Sequence, residues 1–70
     1  MRIKINGNDD VVDGIPTVSE LLFLKNVESP DMVSVELNGV ILKRAEFREV
    51  RLKENDAVEF LYFMGGGSRL

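Results

Sequence analysis

"TVSELLFLKN", Thr17 to Asn26, is the stretch on which the fold of this 70-residue chain turns. Thr17 can cap a helix start, and Glu20 follows at the three-residue spacing of a capping box. Pro16, just ahead, restricts how the chain approaches. Val18, Leu21 and Leu22 fall at i, i+3 and i+4 and are predicted to face a core. Phe23 and Leu24 are expected to widen that face. Asn26 and "VESPD" end the segment, because Pro30 cannot continue a helix. No other stretch carries a comparable helical signal.

Outward from this helix, both flanks read as strands. Towards the N-terminus, "MRIKI" alternates strictly, with Met1, Ile3 and Ile5 on one face and Arg2 and Lys4 on the other. Asn6-Gly7 is a two-residue hairpin signal. Asp9 to Val12 then pairs back, ending at the Asp13-Gly14 turn. Towards the C-terminus, "MVSVELNGVIL" is a second hairpin around Asn38-Gly39, with Val33, Val35 and Leu37 on one face. "KRAEFREVRLKEND" is polar and irregular, with one helical turn at Ala45 to Phe47 and anchors at Phe47, Val50 and Leu52. After the Asn55-Asp56 turn, "AVEFLYFM" is the last strand. Its alternation puts Val58, Phe60 and Tyr62 on one side and Glu59, Leu61 and Phe63 on the other.

The order is β-β-α-β-β-β. A single helix must cover one face of a mixed sheet of four to five strands. That is an α+β architecture of the β-grasp, or ubiquitin-like, kind, with the first and last strands central and parallel. Residues 1–64 are expected to form this domain, and residues 65–70 a flexible glycine tail.

Composition narrows the function. Seventy residues allow one domain with a modest core. There is no Cys and no His, so disulfides, thiolate or imidazole metal sites, and the usual neutral-pH base are all missing. An autonomous enzyme is not expected. Nine Lys and Arg against twelve Asp and Glu give a formal net charge of −3, with no basic stripe. Nucleic acid and anionic membrane are therefore poor partners. "MRIKING" lacks the apolar region of a secretory signal, and "FLYFM" is far too short to span a bilayer. The expectation is a cytoplasmic protein.

Two features point to a partner. A sheet with one helix has one face turned to water. On that face the last strand carries Leu61 and Phe63 beside Glu59, and apolar residues there suit docking. The chain then ends "MGGGSRL". Glycines carry no Cβ and lose the most entropy on ordering. A backbone of this kind can lie flat in a narrow channel and deliver a carboxylate, or it can be a linker-like fringe.

The segments "IKING", "TVSELL", "VELNG" followed by "ILKR", and "LKENDAVEF" before the terminal glycines resemble the ThiS/MoaD family of ubiquitin-like sulfur carrier proteins. The likeness covers Met1 to Gly67 and is greatest to the thiamine-biosynthesis type. It implies a carrier, not a catalyst, with no bound cofactor. An E1-like (ThiF-like) enzyme would use ATP to adenylate the carboxylate of Gly67, reached through Gly65 and Gly66. A cysteine desulfurase would supply sulfur, giving a thiocarboxylate for a ThiG-like thiazole synthase or another acceptor. Glu59, Leu61 and Phe63 fall on the face that resembles the family's E1-binding surface. Ser68-Arg69-Leu70 depart from the family pattern. They are read as a pro-peptide removed by a protease, as a linker remnant, or as a sign that the carrier role is lost. Carriers for molybdopterin, cysteine, homocysteine or methionine synthesis stay open, as do a non-covalent binding module and a ubiquitin-like tag.

Overall fold

Asn6 and Gly7 take left-handed backbone angles, φ 52° and 84°, as do Asn38 and Gly39, φ 51° and 87°. Two positive φ values in a row make the turn whose twist matches that of paired strands, and asparagine and glycine are the residues that tolerate it. In the computed structural model, which describes residues 1–62, the first turn joins β1 (Arg2–Ile5) to β2 (Asn8–Val11). The second joins β3 (Val33–Leu37) to β4 (Val40–Ile41). β5 (Ala57–Tyr62) completes a five-stranded sheet in the order β2-β1-β5-β3-β4. β1 and β5 are central and parallel, and the remaining neighbours are antiparallel. This is the β-grasp arrangement.

The helix, α1, spans Val18–Leu24. Thr17 Oγ1 accepts from the Glu20 N–H at 3.1 Å, and the Thr17 N–H donates to Glu20 Oε1 at 2.8 Å. The capping box read from the sequence is formed. The helix stops at a Schellman motif: Asn26, at φ 53°, donates to the Phe23 carbonyl, and Val27 donates to the Leu22 carbonyl. Asparagine supplies the left-handed residue where glycine is more usual.

Val18, Leu21 and Leu22 are buried, as their spacing predicts. Phe23 and Leu24 are not: they are 82% and 54% exposed. Helical rotation explains the difference. At 3.6 residues per turn, Phe23 lies roughly 150° from the centre of the buried stripe and Leu24 roughly 110°. The face they would widen is too narrow to include them.

The stripe packs on Ile3, Val33, Val35 and Val58 from the sheet, and Phe47 and Leu52 close the core from the side. Each fully buried Leu or Val contributes about 1.5–3 kcal/mol relative to exposure. Phe47 comes from a 3₁₀ turn at Arg44–Arg48, which contains the helical turn expected at Ala45 to Phe47. Arg44 ties this turn down. Its guanidinium donates to the carbonyls of Pro30 and Val33 at 2.9 and 2.8 Å and lies 5.3 Å from the Phe47 ring centroid. A second 3₁₀ turn, Pro30–Met32, leads into β3. Asp56 is buried before β5, where its carboxylate accepts from Asn38 Nδ2 at 2.9 Å and the Lys53 N–H at 2.7 Å. Among the described residues no helix is long and apolar enough to cross a membrane.

Candidate functional site

The face of the sheet opposite α1 is set by strand register. β5 places Glu59 across from Glu36, and Leu61 across from Ser34. Ile41 of β4 lies on the other side of Glu36 and is exposed. Leu61 is half-buried and Glu59 exposed. The alternation read from the sequence holds along β5 as far as Leu61: Val58 is buried and Phe60 packs against the core, while Glu59 and Leu61 face outward. Tyr62, expected on the side of Val58 and Phe60, is 49% exposed, because it stands at the end of the strand beyond the core.

The Glu36–Glu59 pairing is informative. Like charges directly opposite each other in a sheet destabilise it. Among the described residues neither carboxylate belongs to an ion pair; those found are Lys4–Asp9, Lys25–Asp10 and Arg51–Glu20. Among the described residues the open face therefore carries an acidic pair with no ion-pair partner, beside Leu61. Such a surface matches a partner with a basic rim around an apolar contact.

β5 is held on both sides, which fixes the position of this patch. One of its supports was not legible in advance. Asn6, read only as a turn residue, also donates its N–H to the Val58 carbonyl and accepts the Phe60 N–H on its Oδ1, both at 2.9 Å. Its side chain carries the parallel ladder one step further than β1 itself.

Of the predicted site residues, Glu59 and Leu61 are brought together on one face. Phe63, Gly65, Gly66 and Gly67 lie outside the described residues, as does Ser68-Arg69-Leu70. Among the described residues no cluster of three or more carboxylates could hold a metal ion. The Asp10–Lys25 contact, 2.7 Å, lies away from this face and ties β2 to the end of α1. The hydrogen bond from Lys25 holds the Asp10 carboxyl below its usual range, helped by the Val11 N–H.

Comparison with known proteins gives a consistent answer. The model of the ThiS family matches residues 3–67. The crystal structure of the thiamine biosynthesis protein ThiS from Geobacter metallireducens superposes with a TM-score of 0.87 at 48% identity, covering 96% of this chain and 100% of that one. A solution structure of a thiamine biosynthesis protein from the same organism gives 0.79 at 47% identity, covering 97% and 90%. Two curated relatives carry the name thiazole synthase. The one from Magnetococcus marinus is 33% identical over 67 residues, and the one from Paramagnetospirillum magneticum 34% over 68. These alignments take in 96% and 97% of this chain but 20% and 21% of the relatives, so the chain spans about a fifth of their length.

Proposed function

The chain belongs to the ThiS family, and from that premise we propose that it carries sulfur for thiazole formation in thiamine biosynthesis, with Gly67 as the residue that is activated. A ThiS protein is a carrier rather than a catalyst, which accords with a sequence free of Cys and His. The observation that carries the assignment of Gly67 is the family match itself, which ends at residue 67 and leaves Ser68-Arg69-Leu70 beyond it.

A carboxylate is unreactive towards sulfur nucleophiles at neutral pH. In the proposed sequence, an E1-like enzyme transfers the adenylyl group of ATP to the Gly67 carboxylate and releases pyrophosphate. A desulfurase persulfide attacks the acyl carbon and AMP leaves. A second thiol breaks the S–S bond, leaving a thiocarboxylate. The tail from Gly65 onward is the delivered segment, and residues 1–64 are the handle. Glu36, Glu59 and Leu61 form the surface that the activating enzyme grips; Phe63 is joined to it on the sequence alternation alone. Thiazole synthase is the favoured acceptor, because two relatives of that name align with this domain within their own polypeptide. While Gly67 is joined to Ser68 there is no carboxylate to adenylate, so a protease must act first.

The test compares a chain ending at Gly67 with one ending at Leu70, each incubated with the host's activating enzyme and ATP. Pyrophosphate release is expected only from the first. On adding a persulfide donor and thiol, its intact mass should show one oxygen replaced by sulfur. No pyrophosphate from the chain ending at Gly67, or equal release from both, refutes the assignment. Leu61→Asp should suppress activation in a chain that circular dichroism still shows folded. Because Leu61 is half-buried, Leu61→Ser is the paired variant that removes the apolar contact without adding a third carboxylate.

A further inference from the structure

The side of α1 turned away from the sheet, with the turn that precedes it, exposes three large apolar side chains. Phe23 is 82% exposed, Ile15 63% and Leu24 54%, and the three line one shallow groove with Pro16 and Ser19, edged by Asp13 and Glu20. Burial against the sheet accounts for Val18, Leu21 and Leu22, and among the described residues the core does not include the Phe23 side chain.

We propose that this groove docks the carrier on the body of thiazole synthase, separately from the sheet face and tail. The proposal rests on the carrier reading above. Its area argues for a brief heterologous contact. Three side chains expose a few hundred Å² of apolar surface, whereas a stable interface takes about 800 Å² from each partner. A permanent dimer of this chain is therefore not what the groove supports. A carrier that must arrive and leave needs a small contact. The partner is named by the relatives in which a domain like this one belongs to the same polypeptide as the synthase. In such a protein the tether brings the domain back to the synthase after each round of charging, so a brief contact suffices. Two surfaces that do not overlap would let the synthase and the activating enzyme take the carrier without competing. α1 covers one face of the sheet, and Glu36, Glu59 and Leu61 lie on the other. A synthase held at Phe23 leaves the acidic face open to the activating enzyme.

The experiment measures binding of the chain ending at Gly67 to the host's thiazole synthase by calorimetry, alongside adenylation by the activating enzyme. Phe23→Ser is expected to weaken synthase binding by about tenfold or more. Phe23→Leu should retain most of the affinity. Both variants should be adenylated at the wild-type rate and melt as wild type does, because Phe23 supports no packing. Unchanged affinity in Phe23→Ser overturns the docking proposal and leaves the carrier reading standing. A wild-type carrier that is adenylated but does not bind the synthase overturns the proposal and the choice of acceptor together. Wild-type dimers in sedimentation that Phe23→Ser converts to monomers would make the groove a self-interface and also overturn it.

Discussion

Thr17→Ala is the most telling perturbation of the fold, because one side chain performs two tasks. Its hydroxyl accepts the Glu20 N–H at 3.1 Å, and the residue is buried beneath the start of α1. Removing the acceptor leaves an orphan donor at the helix N-terminus, a loss of about 0.5–2 kcal/mol. Removing the buried γ-methyl adds about 0.8 kcal/mol. The expected destabilisation is about 2 kcal/mol. Urea unfolding followed by far-UV circular dichroism reads it as a lower midpoint at constant slope. In a domain of this size it corresponds to a melting temperature lower by about 8–16 °C. Thr17→Ser separates the parts: it keeps the acceptor, so its loss should be no more than about 1 kcal/mol. Glu20→Ala removes the reciprocal bond to the Thr17 N–H, 2.8 Å long. The double variant should then fall short of the sum, since the two residues share one motif. A Thr17→Ala protein within about 0.3 kcal/mol of wild type would refute the reasoning, because neither a cap nor a buried methyl could then be present.

Other outcomes follow from the same geometry. Leu21→Ala, at a fully buried position, should cost about 2–5 kcal/mol in urea unfolding, a large part of a small domain's stability. Asp56→Ala should cost about 1–3 kcal/mol, because it strands the Lys53 N–H and the Asn38 amide; adding Asn38→Ala should cost more again, because Asn38 sits at φ 51° and its Oδ1 also accepts the Ala57 N–H. The Asp10 carboxyl is held low by Lys25, so its contribution to stability is present above its unfolded pKa and is lost as pH falls through the folded value. In an NMR titration, Lys25→Met should raise the Asp10 midpoint and flatten that acid limb; an unmoved midpoint would sink the assignment.

Much of this fold is legible from local chemistry. Asn6-Gly7 and Asn38-Gly39 announce their turns because few residues accept two positive φ values in succession. Thr17 and Glu20 announce the helix start because the capping box is built from neighbours in sequence. What escapes a linear reading joins residues far apart. The Asn6 side chain meets the Phe60 N–H across 54 positions, and Asn38 meets Asp56 across 18. Nothing in either local sequence marks those bonds. Phe23 and Leu24 are a different case: residue type alone suggested burial, while their angle around α1 excluded it. The outer face was legible as the alternation of Glu59 and Leu61. The alternation of Ser34 and Glu36 along β3 puts Glu36 there too; that it stands directly opposite Glu59 was not legible, because only the β3–β5 register sets it. Phe63 and the glycines lie outside the described residues and rest on the sequence and the family match.

The central parallel pair also has a mechanical consequence. β1 begins beside the N-terminus, and β5 runs alongside it in the same direction before the chain continues past Tyr62. A force drawing the C-terminal segment away from the N-terminus therefore slides β5 along its neighbours. The hydrogen bonds to β1 and β3 are loaded together, in shear, instead of opening one at a time like a zipper. A partner that hauls on the tail to thread it into a narrow channel would tension the strongest axis of the domain. The handle would hold its shape while the end is drawn taut.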